Sequence, residues 1–420
     1  MRASQWLYLV GFLLFFLFPA HLCETCAAKQ QASLAPLMST VIKSKQPFPT
    51  VAPRILIALR LARQQDRDAE TTFLNEIKQR IQQRHETLTS GQLALIILAL
   101  TAACQTQIVA DYNLVENLEQ KFQKEVDNID THGHPLTNYY QVGLDVLALC
   151  LLNGTYSTSK IAELFSQKQR TYYFGGQFSV DTGALAVLAL TCVNRRNPDK
   201  KNESNISWLV KKILDEKKTD GTIGNIYSTG EAMQALFVSS EYYRKDSWDC
   251  DQTLQTVLSQ IPQGRFRLPI AAAQVLPALE GKTYLDITRV SCRSSPGHLN
   301  ISTPKPVKPT SQPKENISVT YRVVDSINDN INDSTSISVP KGSVFLKVME
   351  AAQAKNHTMF RFTTESSEWG AYITSVGGIQ ASNKNRTYWQ LLSNNRPLSQ
   401  GAESFVVSNG DKLEVRLSQY

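Results

Sequence analysis

The chain has 420 residues, 42% of them hydrophobic and 19% charged, with a formal net charge of +7. That is long enough for two domains with a large core and too apolar for a disordered chain. The basic residues are scattered rather than gathered in a stripe interleaved with aromatics, which argues against a nucleic-acid partner.

Residues 1–23 open with Arg2 and continue apolar from Trp6 to Ala20, a run suited to a secretory leader cut after Cys23. No later stretch reaches the ~18 apolar residues of a membrane helix, so the mature chain is expected to be secreted and without a membrane anchor. Removing Cys23 leaves Cys26, Cys104, Cys150, Cys192, Cys250 and Cys292, an even set that suits disulfides rather than metal ligation. Sequons of the form Asn-x-Ser/Thr stand at Asn153, Asn202, Asn205, Asn300, Asn316, Asn332, Asn356 and Asn385, which implies heavy surface glycosylation.

Six short apolar rods follow, at residues 55–62, 91–104, 140–151, 179–192, 229–237 and 271–279. A core leucine from each (Leu59, Leu100, Leu149, Leu190, Leu236, Leu279) marks a loose repeat of 41 to 49 residues, the length of a helix pair. Between them lie amphipathic segments, of which Leu114, Leu118 and Phe122 show the helical spacing. Six uniformly apolar helices alternating with six amphipathic ones predict a double ring, an α6/α6 barrel spanning residues 24–292. Residues 293–315 are rich in Pro, Ser and Lys and read as a linker. From residue 316 to 420 the hydrophobic period changes to two, as in Val319–Val324 and Leu413–Leu417, which predicts a small β-rich domain.

Residues 179–192, SVDTGALAVLALTC, concentrate the functional question. Asp181 and Thr182 open an otherwise apolar helix, where an acid accepts backbone N–H bonds as a cap. Asp181-Thr182-Gly183 also spells the aspartic-protease tripeptide, but that chemistry needs two such carboxylates on β-loops and the chain has one, on a helix. The loops entering the third to fifth rods are rich in amides, hydroxyls and aromatics: Leu136-Thr-Asn-Tyr-Tyr-Gln141, Tyr172-Tyr-Phe-Gly-Gly-Gln-Phe178 and Asp220-Gly-Thr-Ile-Gly-Asn-Ile-Tyr-Ser-Thr-Gly230. Gln141 and Gln274 sit within apolar helices, where a polar side chain is costly unless bonded. This describes a neutral, amide-rich ligand face and no catalytic constellation. His132-Gly-His134 reads as surface. A glycan-active α/α-barrel enzyme is the alternative of another class, and it would need a carboxylate pair for which only Asp181 and Asp220 offer themselves. A thioester barrel would need a Cys-Gly-Glu-Gln motif, which the chain lacks.

With these residues assembled, the sequence resembles the cobalamin-carrier family of intrinsic factor, transcobalamin and haptocorrin over essentially the whole mature chain. The likeness rests on SVDTGALAVLALTC, on Asn225-Ile-Tyr-Ser-Thr-Gly-Glu-Ala-Met-Gln-Ala-Leu236, on Ala273-Gln-Val-Leu-Pro277, on Gly281-Lys-Thr-Tyr-Leu-Asp286 and on Arg386-Thr-Tyr-Trp-Gln-Leu-Leu392. Leu136–Gln141, Phe178–Gly183 and the many sequons favour the haptocorrin branch, with an intrinsic-factor-type carrier as the alternative. The resemblance implies a two-domain carrier that clamps cobalamin and its corrinoid analogues, with no catalysis and no catalytic cofactor. It implies that Thr137, Tyr140, Gln141, Asp181, Asn225 and Gln274 bond the ligand from the barrel. From the β-rich side it implies Trp369, Gly370, Ala371, Tyr372, Ile373 and Thr374, together with Gln390, Leu391, Leu392, Ser393, Asn394, Asn395, Arg396, Pro397, Leu398 and Ser399. It also implies disulfides Cys26–Cys250, Cys104–Cys292 and Cys150–Cys192, the last of which would tie the ends of adjacent inner helices. In the transcobalamin branch a histidine just before the Ser-Val-Asp motif can ligate cobalt. Gln177 and Phe178 stand there instead, so no protein ligand to the metal is expected. A monomer with a glycan-reading or carrier-specific receptor completes the expectation.

Overall fold

A computed structural model of the chain describes residues 26–29, 31–44, 51–63, 66–84, 87–167, 172–174, 177–292, 316–367, 370–382, 385–398, 401–403 and 405–419. The leader, the linker, Gly175, Gly176, Asn300, Trp369 and Ser399 lie outside the described residues.

Six apolar helices form the inner layer: Val51–Leu61, Ser90–Ala102, Tyr139–Leu151, Val180–Arg196, Ser228–Val238 and Pro269–Leu279. Each packs on the next and the sixth packs on the first, so the ring is closed. Closure explains why these helices lack a polar face: almost every residue from Leu93 to Leu100 and from Val180 to Val193 is buried. The outer helices are Ala35–Ile42, Arg67–Arg84, Leu114–His132, Thr158–Leu164, Lys200–Asp215 and Cys250–Gln260, and each lies against the inner ring. They bury one stripe only, as Leu114, Leu118, Phe122, Val126 and Ile129 show. A short helix, Thr106–Asp111, joins the second inner helix to its outer neighbour.

The ring is plugged from within. After the sixth inner helix the chain turns at Gly281 and forms a 3-10 turn, Tyr284–Arg289, that packs on the first, second and fourth inner helices. Tyr284, Leu285 and Ile287 are buried there. The backbone N–H of Tyr284 donates to Gln234 Oε1 at 3.0 Å, within the fifth inner helix. The barrel is therefore a packed body rather than an open tube.

Disulfides join Cys26 to Cys250, Cys104 to Cys292 and Cys150 to Cys192. The first ties the beginning of the barrel to the start of its last outer helix and the second ties the end of the second inner helix to the barrel's end, at sequence separations of 224 and 188 residues. The third links the C-terminal ends of the third and fourth inner helices.

The second unit is built on a five-stranded sheet of β3 (Asn316–Asp325), β4 (Asn332–Pro340), β8 (Thr387–Ser393), β9 (Arg396–Pro397) and β10 (Lys412–Gln419). Their order in the sheet is β4-β3-β10-β8-β9. The first and last of the domain's long strands, β3 and β10, pair in parallel, and the other pairs are antiparallel. Ile317, Val319, Tyr321 and Val323 face inward, the period-two signature of a half-buried strand. Helix Phe345–Lys355 covers β3 and β4. A smaller sheet holds β5 (Phe362–Ser367), β6 (Gly370–Val376) and β7 (Ile379–Gln380).

Two sequons are withdrawn by this fold. Asn202 and Asn205 lie on the inward stripe of outer helix Lys200–Asp215 and are 0% and 6% exposed. Asn205 Nδ2 donates to the carbonyl of Ala162 at 2.8 Å. A branched glycan on either would hold this helix off the ring, so glycopeptide mapping of the secreted protein is expected to recover both asparagines unmodified. A glycan on either one would contradict the packing of this helix.

Candidate ligand-binding site

The inner helices begin on polar caps. Thr89 and Gln92 form a reciprocal capping box, Asn138 Oδ1 accepts from Gln141 N–H, and Ser179 Oγ accepts from Thr182 N–H. The fifth inner helix starts beneath Asn225, whose Oδ1 takes the N–H groups of Tyr227 and Ser228 at 2.8 and 3.0 Å. Side-chain bonds then run between these starts. Thr89 Oγ1 donates to Gln141 Oε1 at 2.6 Å, joining the second and third helices. Ser228 Oγ and Gln274 Nε2 donate to the two oxygens of Asp181 at 2.8 and 3.3 Å, joining the fourth, fifth and sixth. The N-terminal ends of the inner ring therefore gather at one mouth, with their unpaired N–H groups and positive dipole ends. Gly230 permits part of this closeness: a Cβ there would lie 2.8 Å from the Val275 Cα of the sixth helix.

Asp181 is not the cap of its helix. Ser179 has that role, and the Asp181 carboxylate turns across to the fifth and sixth helices. Beneath it, alternate helices contribute a cluster on the barrel axis. Arg54 of the first donates to the Tyr140 hydroxyl of the third at 3.0 Å, and that hydroxyl donates to Glu231 Oε1 of the fifth at 2.6 Å. Arg54 lies 3.7 Å from the same glutamate oxygen, 5.4 Å from the centroid of the Tyr140 ring, and against Tyr284 from the plug.

One guanidinium thus serves two buried carboxylates, and it cannot neutralise both. Desolvation, helped by the nearby Asp181 charge, pushes the Glu231 carboxyl up to about 8, against the pull of Arg54 and Tyr140. Desolvation also raises Asp181, which Ser228, Arg54 and Gln274 oppose. Glu231 holds the proton at neutral pH, and Asp181 stands among helix N-termini, whose positive ends favour its ionised form.

A second buried acid orders the loop before the third helix. Glu125, on outer helix Leu114–His132, accepts from Ser90 Oγ at 2.9 Å and from Thr137 N–H at 3.0 Å. Asp145 is fully buried nearby, and desolvation holds its carboxyl well above the usual range.

Among the described residues, Thr137 Oγ1, Gln274 Oε1 and Glu231 Oε2 are buried side-chain oxygens with no hydrogen-bond partner. Gln274 and Thr137 belong to the face picked out from sequence. Tyr140 is there too, but its hydroxyl is consumed inside the barrel, which leaves its ring for the rim. Asn225 spends Oδ1 on its own backbone and one Nδ2 hydrogen on Ser228. Asp220 is exposed and its Oδ1 accepts from Thr222 N–H, so it makes no carboxylate pair with Asp181.

The hairpin of β1 (Tyr173–Phe174) and β2 (Gln177–Phe178) stands beside this mouth. Phe178 packs on Tyr172 and Tyr173 and over Gly183. Among the described residues no group of three or more His, Cys, Asp or Glu could hold a metal.

On the β-rich side the expected contact residues differ in burial. Ile373 belongs to the domain's core, a correction to its reading as a contact group, and Thr374, Leu392 and Ser393 are also buried, at most 9% exposed. Thr374 Oγ1 is bonded to Thr363 Oγ1 at 2.7 Å. Tyr372, Gln390, Leu391, Arg396, Pro397 and Leu398 keep exposure, as does Ala371, whose N–H donates to Glu403. Asn394 and Asn395, both at positive φ, make the turn between β8 and β9. Gly370 opens β6.

Sequence reasoning missed Ser228, Glu231, Arg54, Tyr284 and Glu125. A signal existed for two of them: a charged residue within a run of aliphatic residues, as in VAPRILIALRL and STGEAMQALFV.

Because folded Glu231 keeps a proton that the unfolded chain releases near pH 4.5, the ligand-free protein loses stability as pH rises from 4.5 to about 8. Glu231→Gln is expected to flatten that fall by an amount on the order of 1–2 kcal/mol, read from denaturant midpoints at pH 5 and pH 8. An unchanged slope would remove the proton from Glu231.

Comparison with known proteins agrees with this geometry. Residues 8–313 match the family described as eukaryotic cobalamin-binding protein, and residues 342–419 match a domain of unknown function. Human transcobalamin-1 is 49% identical, with 100% of both chains covered. The rat cobalamin binding intrinsic factor is 37% identical over 88% of this chain and 87% of its own. Mouse transcobalamin-2 is 32% identical, with 88% of each covered. A crystal structure of haptocorrin in complex with Cbi superposes with a TM-score of 0.83 at 48% identity, covering 94% of this chain and 100% of that one. With residues 8–313 matched and relatives of this identity along most of its length, the chain belongs to the family of eukaryotic cobalamin-binding proteins.

Proposed function

We propose that the protein is a secreted, glycosylated carrier of cobalamin and corrinoid analogues, one that binds its ligand and performs no chemistry on it. The observation that carries this reading is the polar mouth of the inner ring: Asp181 bonded by Ser228 and Gln274, with Gln274 Oε1 and, in the loop entering the third helix, Thr137 Oγ1 buried and unpartnered. These groups call for a ligand with many N–H donors, because a buried acceptor left without a donor costs about 1–3 kcal/mol. Cobalamin, with amides around the corrin rim, meets that demand. Gln141 and Asn225 extend the same face with their remaining amide hydrogens. Tyr140 contributes ring surface.

Binding a ligand of this size needs nearly full enclosure. The β-rich domain would supply the other wall through Trp369, Gly370, Ala371, Tyr372, Gln390, Leu391, the 394–398 turn and Ser399. Two domains on a linker can open to admit the ligand and close on it. Phe178 and Gln177 offer the cobalt nothing, so the metal keeps its own axial ligand in this account.

The haptocorrin-type reading is preferred to the intrinsic-factor type because transcobalamin-1 shares 49% identity against 37% for the rat intrinsic factor. Secretion follows from the leader, the three disulfides and the sequons, and no described helix is long and apolar enough to cross a membrane. The carrier is taken as a monomer that a glycan-reading or carrier-specific receptor clears.

Mixing purified protein with cyanocobalamin and passing it down a desalting column tests the reading. The red ligand is expected to travel with the protein at one molecule per chain, with no imidazole-type cobalt ligation in its absorption spectrum. Colour left on the column would overturn the carrier assignment, and an imidazole signature would overturn the unligated cobalt.

A further inference from the structure

A pocket far from the rim gives one sequon a structural meaning. Asn153 follows the third inner helix, Tyr139–Leu151, at φ +59°, and its side chain is exposed. Arg196, at the last turn of the fourth inner helix, donates to Asn153 Oδ1 through one nitrogen and to the Leu151 carbonyl through the other. The amide oxygen is thereby occupied, and Nδ2 is the group left to point outward. An open surface cavity of about 450 Å³ borders Asn153 and is lined by it together with Gly154, Thr155, Tyr156, Arg196 and Asn197. That is many times the ~30 Å³ share of a water molecule. The platform is rigid: the Cys150–Cys192 disulfide ties the two helices just before Asn153 and Arg196. Thr155 N–H is held by Glu119 at 2.6 Å, and a side chain on Gly154 would strike Leu149 at 2.7 Å.

We propose that this cavity is the seat of the first N-acetylglucosamine of an N-glycan on Asn153, with the apolar face of the sugar lying on Tyr156 and its polar groups meeting Arg196 and Asn197. The linkage forms when Asn153 Nδ2 bonds to the glycosyl C1 of a lipid-linked pyrophosphate donor. The C1–pyrophosphate bond breaks, the lipid pyrophosphate leaves and one amide proton is released. The buried Asn202 and Asn205 have no such seat, and the cavity distinguishes Asn153 from a sequon that merely projects into solvent. Seating is independent of whether the chain carries a corrinoid.

The test uses secreted protein from cells that make only high-mannose glycans. Endoglycosidase H then leaves a single N-acetylglucosamine at each occupied site. Thr155→Ala removes the Asn153 glycan alone, and Thr155 is exposed with only its backbone engaged. Peptide mapping is expected to find one N-acetylglucosamine on Asn153. The trimmed wild type is expected to melt roughly 2 °C above trimmed Thr155→Ala. In a Tyr156→Ala background the trimmed proteins with and without the Thr155→Ala change are expected to melt together. An unmodified Asn153, equal melting of trimmed wild type and Thr155→Ala, or a gap that survives Tyr156→Ala would each overturn the seat.

Discussion

The single guanidinium of Arg54, shared between Glu231 and Asp181, sets the character of the barrel's mouth. A ring of six apolar helices leaves a narrow axis, and burying a net charge there is costly. The chain answers with one cation, one neutral acid and one anion. Glu231 is deep, bonded to Tyr140, and retains its proton. Asp181 is partly buried at the start of its helix, held by Ser228 and Gln274. The N-terminal ends of the surrounding helices supply the positive field that lets the outer acid ionise. An anion fixed in this way costs no reorganisation when a donor-rich ligand arrives.

The rest of the molecule holds that arrangement in place. The plug at Tyr284 packs on three of the inner helices and buries Tyr284, Leu285 and Ile287 among them. The three disulfides constrain the barrel where helix packing alone leaves its ends free, and the long loops they close are the kind for which the entropic effect is largest. The β-rich domain has its own core around Tyr321, Phe345 and Phe360. Its alternation divides residues that sequence reasoning had grouped: Tyr372 is outward, while its neighbour Ile373 is core.

The barrel was legible because its signal is global. Six uniformly apolar rods at a loose period have few other arrangements, and all six inner helices fall where the rods predict. The rim was half legible. Asp181, Gln141 and Gln274 were visible as polar groups in apolar context; Gln274 bonds Asp181, while Gln141 bonds Thr89. What each bonds to was not visible, because the partners come from helices 47 and 93 residues away. The cap illustrates this: Asp181 and Ser179 are both competent N-caps by type, and only the backbone decides that Ser179 reaches the free N–H. Burial decided the sequons in the same way. Asn202 and Asn205 satisfy the motif, yet their place on the inward stripe of a helix is a tertiary fact.

In the proposed carrier the Asp181 carboxylate is the prearranged group on which a donor-rich corrinoid is anchored. Titration of cyanocobalamin into Asp181→Ala, beside a thermal melt of the same protein, tests it most directly. The account predicts a melt close to wild type and an affinity lower by about 10- to 100-fold, the loss of one or two hydrogen bonds to a charged group. Unchanged affinity per folded molecule, with the loss appearing in the melt instead, would contradict it and leave Asp181 as a structural tie between helices.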